Sequence, residues 1–298
     1  MKKLIQLVTL GVLLFACAPQ KESQQINIVV TTGIIKDAIQ NIVPKEILVT
    51  AILGPNSDPH LAKASKSDLR TIQKADIIIK NGLHLEGKLA DALEKFKSKK
   101  TVLTLSDGLP EARLLNSSGT HDPHLWFDVQ LWSLGIHYLS EQLQKELPDH
   151  KVEIQTLTSE YLIKLAKTDE WVKHQFTQTN PKDRVLITAH DAFRYFGKAY
   201  NLEVIGIQGL STLSQTSIKK RTELSQLIID KNIRLIFPEA SVRDNQVNAL
   251  LEDCQSKGYK LNIGSTLYSD ALGNLDTEAG TYIGMVRYNV QEIAKAFE

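Results

Sequence analysis

The sequence predicts an α/β protein made of two similar lobes of parallel β-sheet, flanked by helices and joined by one long rigid linker helix. Three observations carry this prediction: short β-branched apolar runs recur through the chain, helix-like patterns separate most of them, and one long amphipathic segment divides the chain near its middle. A length of 298 residues also exceeds one typical domain, which favours two compact units.

The candidate strands are eight apolar runs, four in each half of the chain. Most are separated by roughly 20 to 25 residues, the spacing of strand–helix–strand units with parallel strands. Helix-like patterns fill these intervals, as at 64–74 and 218–230. The strand predictions are 26–30, 47–53, 76–80 and 101–105 in the first half, and 184–188, 203–207, 233–237 and 259–263 in the second.

The segment 149–179 contains no Gly or Pro, and its apolar residues recur mainly at three- and four-residue steps from Ile154 to Phe176. This pattern predicts one helix of about 30 residues, about 45 Å long, between Pro148 and Pro181. The alternative is two shorter helices with a break near Thr168. A continuous helix across both lobes would hold them nearly rigid, so we expect small lobe movements and no wide hinge.

The first residues indicate export. Two lysines precede an apolar stretch at 4–16 that is too short to span a bilayer comfortably, and Leu14-Phe15-Ala16-Cys17 resembles a bacterial lipobox. We therefore predict lipid attachment at Cys17 and anchorage to a bacterial membrane on its outer side; the alternative is an ordinary signal peptide or short anchor. The predicted organisation is a signal peptide at 1–16, a lipid-anchored flexible tether at 17–25, an N-terminal lobe at 26–147, the linker helix at 148–179 and a C-terminal lobe at 180–298.

Net charge and cysteine content limit the partners and the kind of stabilisation that we expect. The formal net charge of +1, with 35 basic and 34 acidic residues, argues against a nucleic-acid partner. If Cys17 carries lipid, Cys254 has no partner within the chain, so disulfides do not hold the fold together. We expect a monomer.

The triplet Asp-Pro-His occurs twice, at 58–60 and 122–124, each time after a predicted strand. Ligands of parallel α/β sheets bind beyond the carboxyl ends of the strands. In the second half, the same position holds His190 after 184–188 and Asp270 after 259–263. Three imidazoles and one carboxylate suit a divalent transition metal, so we predict His60, His124, His190 and Asp270 as its ligands. Proline stiffens the turn that presents each triplet histidine.

Four further residues could contribute to the metal site. Asp58 and Asp122 could accept the non-ligating imidazole N–H of the histidine two residues on, although Asp before Pro is also a common turn choice. Glu239, at a predicted strand end, is the main rival carboxylate and is assigned to packing or to hydrogen bonding around the ligands. His121 could assist metal capture or could be a solvated loop residue.

Several motifs resemble one family over essentially the whole chain beyond the export signal: the cluster A-I, or TroA-like, metal-binding lipoproteins of bacterial zinc and manganese ABC importers. These motifs are LGPNSDPHLAKASKSDLRTIQKADIIIKNGLHLEG (53–87), DPHLWFD (122–128), ITAHDAFRYF (187–196), IQGLSTLSQTS (207–217), IFPEAS (236–241) and YSDALG (268–273). The resemblance implies two lobes joined by a long helix, a metal between them, the same four ligands and a membrane permease as partner.

Two departures from the family patterns leave the metal open between zinc and manganese, with iron as a third candidate. The loop 106–119 contains no histidine, unlike the long loop of many zinc-specific members, whereas His190 stands where many manganese-specific members place Glu. The expected function is capture and delivery of the metal, without enzymatic activity. The alternatives are a surface adhesin with a structural metal site and a secreted zinc hydrolase, but no HExxH, P-loop or GxSxG motif supports catalysis.

Overall fold

The computed structural model describes residues 25–117, 119–177, 184–213 and 215–297. The predicted signal peptide, Cys17 and all of the tether except Gln25 lie outside these residues and stay predictions. Among the helices described, none is long and apolar enough to cross a membrane.

The first lobe is built on a four-stranded parallel sheet with the strand order β2-β1-β3-β4. Its central strands β1 and β3 are almost entirely Ile and Val, and both faces are buried under helices, as expected for a parallel sheet. Thr32 and Ser65 cap helices α1 and α2 with their side chains, which fixes where each helix begins. The elements are β1 (Asn27–Val30), α1 (Gly33–Ile42), β2 (Leu48–Ala51), α2 (Lys66–Lys74), β3 (Ile77–Lys80), α3 (Gly87–Glu94) and β4 (Thr101–Thr104).

The second lobe repeats this arrangement with shorter strands. Strands β7 and β8 pair in parallel, β9 and β10 pair in parallel, and a parallel bridge between Thr188 and Phe237 joins the two pairs in the order β8-β7-β9-β10. The elements are β7 (Val185–Thr188), α6 (Arg194–Tyr200), β8 (Glu203–Gly206), α7 (Ile218–Asp230), β9 (Leu235–Ile236), α8 (Asn245–Ser256), β10 (Asn262–Ile263) and α9 (Tyr282–Ala294). The matching strand orders confirm the predicted α/β architecture with two similar lobes.

In chain order, a hairpin and two helices come between the strands of the first sheet and those of the second. A two-stranded antiparallel hairpin, β5 (Asn116–Ser117) and β6 (Thr120–His121), precedes helix α4 (Val129–Glu146), and α5 (Lys151–Gln175) follows. Helix α5 runs without a break through Thr168, so the alternative of two shorter helices is not observed. It is shorter than predicted because Pro148–His150 form a separate 3-10 turn and the helix ends at Gln175. The domain borders of the sequence analysis stay predictions.

One continuous hydrophobic core extends through both lobes and the linker. Helix α5 packs against α1, α4 and α9. The same buried cluster contains Ile28 of the first sheet, Leu165 of α5, Leu186 of the second sheet and Ile293 of α9. Because close-packed cores resist shear, this packing favours small relative movements of the lobes.

Candidate metal centre

The four predicted ligands come together in one buried group between the lobes. His60, His124, His190 and Asp270 are each at most 5% exposed, and one ligand atom of each lies within 4.8 Å of those of the others. His60 and His124 approach from loops that follow strands of the first sheet, and His190 and Asp270 approach from loops of the second. The group therefore has two members on each side of the cleft.

The distances within the group suit a small metal ion. The Nε2 atom of His124 lies 3.2 Å from Nε2 of His60 and 3.3 Å from Nε2 of His190. The Asp270 carboxylate lies 3.3 Å from Nε2 of His190, 3.4 Å from that of His124 and 3.7 Å from that of His60. Two nitrogen ligands bound to a tetrahedral zinc ion at 2.0–2.1 Å would be about 3.3 Å apart. The arrangement matches that geometry without large rearrangement.

The Asp270 carboxylate is buried but has no good hydrogen-bond donor. Neither of its oxygens accepts a well-formed hydrogen bond from any residue that the structure describes. The three Nε2 atoms lie within 3.7 Å of this carboxylate. A buried carboxylate costs several kcal/mol unless a cation or donors compensate it. A metal cation at the centre of the group would supply that compensation.

Carboxylates orient two of the three imidazoles by contacting Nδ1, the ring nitrogen that faces away from the group. Asp122 Oδ1 lies 2.7 Å from Nδ1 of His124, and Glu239 Oε2 lies 2.5 Å from Nδ1 of His190. An imidazole that donates its Nδ1–H to a carboxylate presents an unprotonated Nε2 for coordination. Both carboxylates also accept the backbone N–H of the same histidine, which fixes the loop as well as the ring.

Asp58 plays a different part from Asp122. It accepts the backbone N–H of His60 at 2.8 Å, and among the described residues no carboxylate lies on the Nδ1 atom of the His60 imidazole. The second oxygen of Asp58 accepts a hydrogen bond from Thr212 in the other lobe. His121 is not part of the buried group: it lies in strand β6, half-buried, and none of the described residues forms a hydrogen bond with its Nδ1 atom.

The electrostatics of the group are coupled. Burial opposes ionisation of Asp270, but the surrounding imidazoles hold the pKa of its carboxyl well below its usual range. Burial would lower the pKa of His190, yet the Glu239 and Asp270 carboxylates raise it well above its ordinary value. Burial dominates for His60, whose pKa falls to about 3. The carboxylates thus favour the protonated form of His190, and burial favours the neutral form of His60.

Sequence reasoning missed three residues that hold the loops of the site. Trp126 donates its indole N–H to the carbonyl of Ser269 at 2.9 Å, linking the second triplet to the Asp270 loop across the cleft. The Tyr195 hydroxyl donates to the carbonyl of Asp122 and accepts the N–H of Leu115, and Arg194 lies 3.8 Å from Asp122. Trp126 stands in DPHLWFD, and the other two in ITAHDAFRYF, so their nearness to ligand histidines was the available signal.

Fold and site together define a two-lobed α/β binding protein with three histidines and one aspartate buried in its cleft. The sequence model of the family described as "ZnuA: Zinc-uptake complex component A periplasmic" matches residues 28–296. The chain belongs to this family. It is thus a solute-binding protein of the ABC-transporter type and not an enzyme.

Relatives support the same assignment. The manganese-binding lipoprotein MntA of Bacillus subtilis is 39% identical over 94% of this chain and 92% of its own length. The zinc-binding protein TroA of Treponema pallidum is 38% identical over 90% of this chain and 88% of its own. The structure of the periplasmic zinc-binding protein TroA superposes with a TM-score of 0.89, covering 92% of this chain and 99% of the other at 37% identity.

Proposed function

We propose that this chain captures one divalent transition metal ion between its lobes and delivers it to the membrane permease of an ABC importer. His60, His124, His190 and Asp270 bind the ion, and zinc, manganese or iron is the cargo. The observation that carries this proposal is the buried group of three Nε2 atoms around the Asp270 carboxylate, whose oxygens accept no well-formed hydrogen bond from the described residues.

Transport fits this site better than catalysis or a purely structural metal. Four buried protein ligands leave little open coordination, whereas catalytic zinc keeps a position for water or substrate. The relatives point the same way: their names describe a manganese-binding lipoprotein and a zinc-binding protein. A nitrogen-rich ligand set also favours zinc over manganese on affinity alone.

Membrane attachment belongs to the same proposal. A lipid on Cys17 would anchor the monomeric chain to the outer side of the bacterial membrane, and the residues up to 25 would allow the lobes to reach the permease. Mass spectrometry of membrane-extracted protein tests this directly. A mature chain that begins at Cys17 with lipid on the cysteine sulfur and amino group is expected. An unmodified cysteine, or a chain that still begins at Met1, would contradict this proposal.

Metal analysis of protein purified without added metal, followed by competitive titration with zinc, manganese and iron, tests the transport proposal. We expect one ion per chain, with tight binding that a chelator reverses while the protein stays folded. A folded metal-free protein that reloads fully is expected of a carrier. Irreversible unfolding on metal removal would favour the structural-metal alternative, and less than one ion bound by the pure chain under all three metals would refute the proposal.

Metal uptake is expected to release protons, because the raised pKa of His190 favours its protonated form in the metal-free protein and a metal must displace that proton. Affinity should therefore increase with pH until His190 is deprotonated in the free protein. His60, with a pKa of about 3, contributes no proton. Calorimetry in buffers of different ionisation enthalpy counts the protons.

Glu239→Gln is the matched variant for this measurement, since Glu239 is the largest contributor to the raised pKa of His190. It should release fewer protons and bind metal about 10–100-fold more weakly, the usual cost of losing a carboxylate behind a ligating histidine. Equal proton release by the wild type and Glu239→Gln would contradict this account of His190.

A further inference from the structure

His60 differs from the other two histidines in how it is held. Carboxylates contact the imidazole Nδ1 atoms of His124 and His190, but Asp58 contacts His60 only through its backbone N–H, at 2.8 Å from Oδ1. The orientation of Asp58 therefore sets the position of the first triplet. Anything that holds the Asp58 carboxylate acts on His60 through it.

Thr212 of the second lobe holds this carboxylate. Its hydroxyl donates to Oδ2 of Asp58 at 2.6 Å, and the two residues are 154 positions apart in the chain. Asp58 thus uses one oxygen within its own triplet and the other across the cleft. A hydrogen bond to an ionised carboxylate is stronger than one between neutral groups.

The loop that carries Thr212 is also attached to His190. The N–H of Gln208 donates to the carbonyl of Ala189 at 3.0 Å, and the N–H of Asp191 donates to the carbonyl of Gly209 at 3.2 Å. These two hydrogen bonds bracket His190 in the chain. The loop 208–212 therefore connects a ligand of the second lobe, through its backbone, with a ligand of the first lobe, through Thr212 and Asp58.

We propose that Thr212 is a positioning residue that keeps His60 in the metal centre through Asp58 and sets the rate at which the metal leaves. The inference rests on the proposed metal-binding function. When the ligand loops of the two lobes move apart, the Thr212–Asp58 hydrogen bond must break along with metal coordination, so it resists the first opening movement. Its loss accelerates release, whereas capture by ligand loops that have already moved apart is little affected.

Three variants test this proposal. Thr212→Val removes the hydroxyl with nearly the same shape, and Thr212→Ser restores it. Thr216→Val is the matched control. Thr216 lies four residues after Thr212, before helix α7, and its hydroxyl donates to the carbonyl of Ile207 within its own lobe at 2.7 Å. Each variant is loaded with zinc, and release into excess chelator is followed by stopped-flow absorbance. Association rates and equilibrium affinities are measured in parallel.

The dissociation rate of Thr212→Val is expected to be about tenfold faster than that of the wild type, with the association rate within about twofold. Thr212→Ser and Thr216→Val should both release zinc at close to the wild-type rate. An unchanged rate in Thr212→Val, or an equal acceleration in Thr216→Val, would overturn the assignment while leaving the metal site intact. Failure of the wild-type protein to bind zinc, manganese or iron would instead refute the proposed function.

Discussion

His124→Ala is expected to weaken zinc binding by more than about 100-fold, because loss of even an outer partner of a metal ligand costs about 10–100-fold. His124 is fully buried, and its Nε2 atom lies within 3.4 Å of three other ligand atoms. Its removal leaves three ligands, and the Asp122 carboxylate loses the imidazole that it orients. Competition against a chromophoric chelator of known affinity measures the effect.

His121→Ala is the matched control for this prediction. It removes an imidazole three positions earlier in the same loop, but His121 lies outside the buried group. Its affinity for zinc should stay within about twofold of the wild type, because no ligand contact is lost. Circular dichroism of both variants verifies folding. If His124→Ala bound zinc with wild-type affinity, His124 would not be a metal ligand. If both variants lost affinity equally, His121 would contribute to metal capture.

The strands of the sheets could be predicted because their cause is local. Each of the eight predicted apolar runs contains a strand, and the long runs of Ile and Val in the first sheet leave little ambiguity. The short strands Leu235–Ile236 and Asn262–Ile263 are less extensive than predicted, since few of their residues pair. The hairpin at Asn116–His121 was not predicted, because two-residue strands of Asn, Ser, Thr and His carry no apolar alternation.

The residues of the site that could be predicted are likewise those with a local signal in the sequence. The triplets and strand-end positions predicted a group of four residues that the structure indeed brings together, although their binding of metal stays a prediction. Asp122 could be suspected because it lies two residues before His124. Glu239 was assigned to packing or to hydrogen bonding around the ligands, but its partner His190, 49 positions away, could not be named from the sequence. The contact of Thr212 with Asp58, 154 positions away, likewise appears only in the folded chain.

These distant contacts bear on how the metal leaves. Trp126 and Tyr195 connect the two lobes at the second triplet, and Thr212 connects them at the first. The hydrophobic core also continues from one lobe to the other through α5. If the chain releases metal as proposed, these contacts favour local movement of the ligand loops against a nearly fixed framework, and the expectation of small lobe shifts stays a prediction.

Asp169 on α5 is a buried polar residue that contributes to this framework. It is 5% exposed, and its carboxylate accepts hydrogen bonds from three side chains. Gln130 of α4 donates at 2.8 Å, Tyr200 of α6 in the second lobe donates at 3.0 Å, and Lys173 of α5 itself donates at 2.6 Å. One carboxylate thus joins the helix to elements on both sides of it.

Asp169→Ala is expected to lower the free energy of unfolding by about 3 kcal/mol, because it leaves the buried Tyr200 hydroxyl without its acceptor and breaks a partly buried ion pair. Thermal unfolding of the metal-free protein, with chemical denaturation for the free energy, measures the loss. Glu160→Ala, an exposed acidic position on the same helix, should change stability by less than about 0.5 kcal/mol.

In a double-mutant cycle, Tyr200→Phe should cost much less in the Asp169→Ala background than in the wild type, since its hydrogen bond is already lost. Additive costs would show that Tyr200 and Asp169 do not interact, and a loss no larger than that of Glu160→Ala would mean that the apolar core alone holds the lobes on the helix.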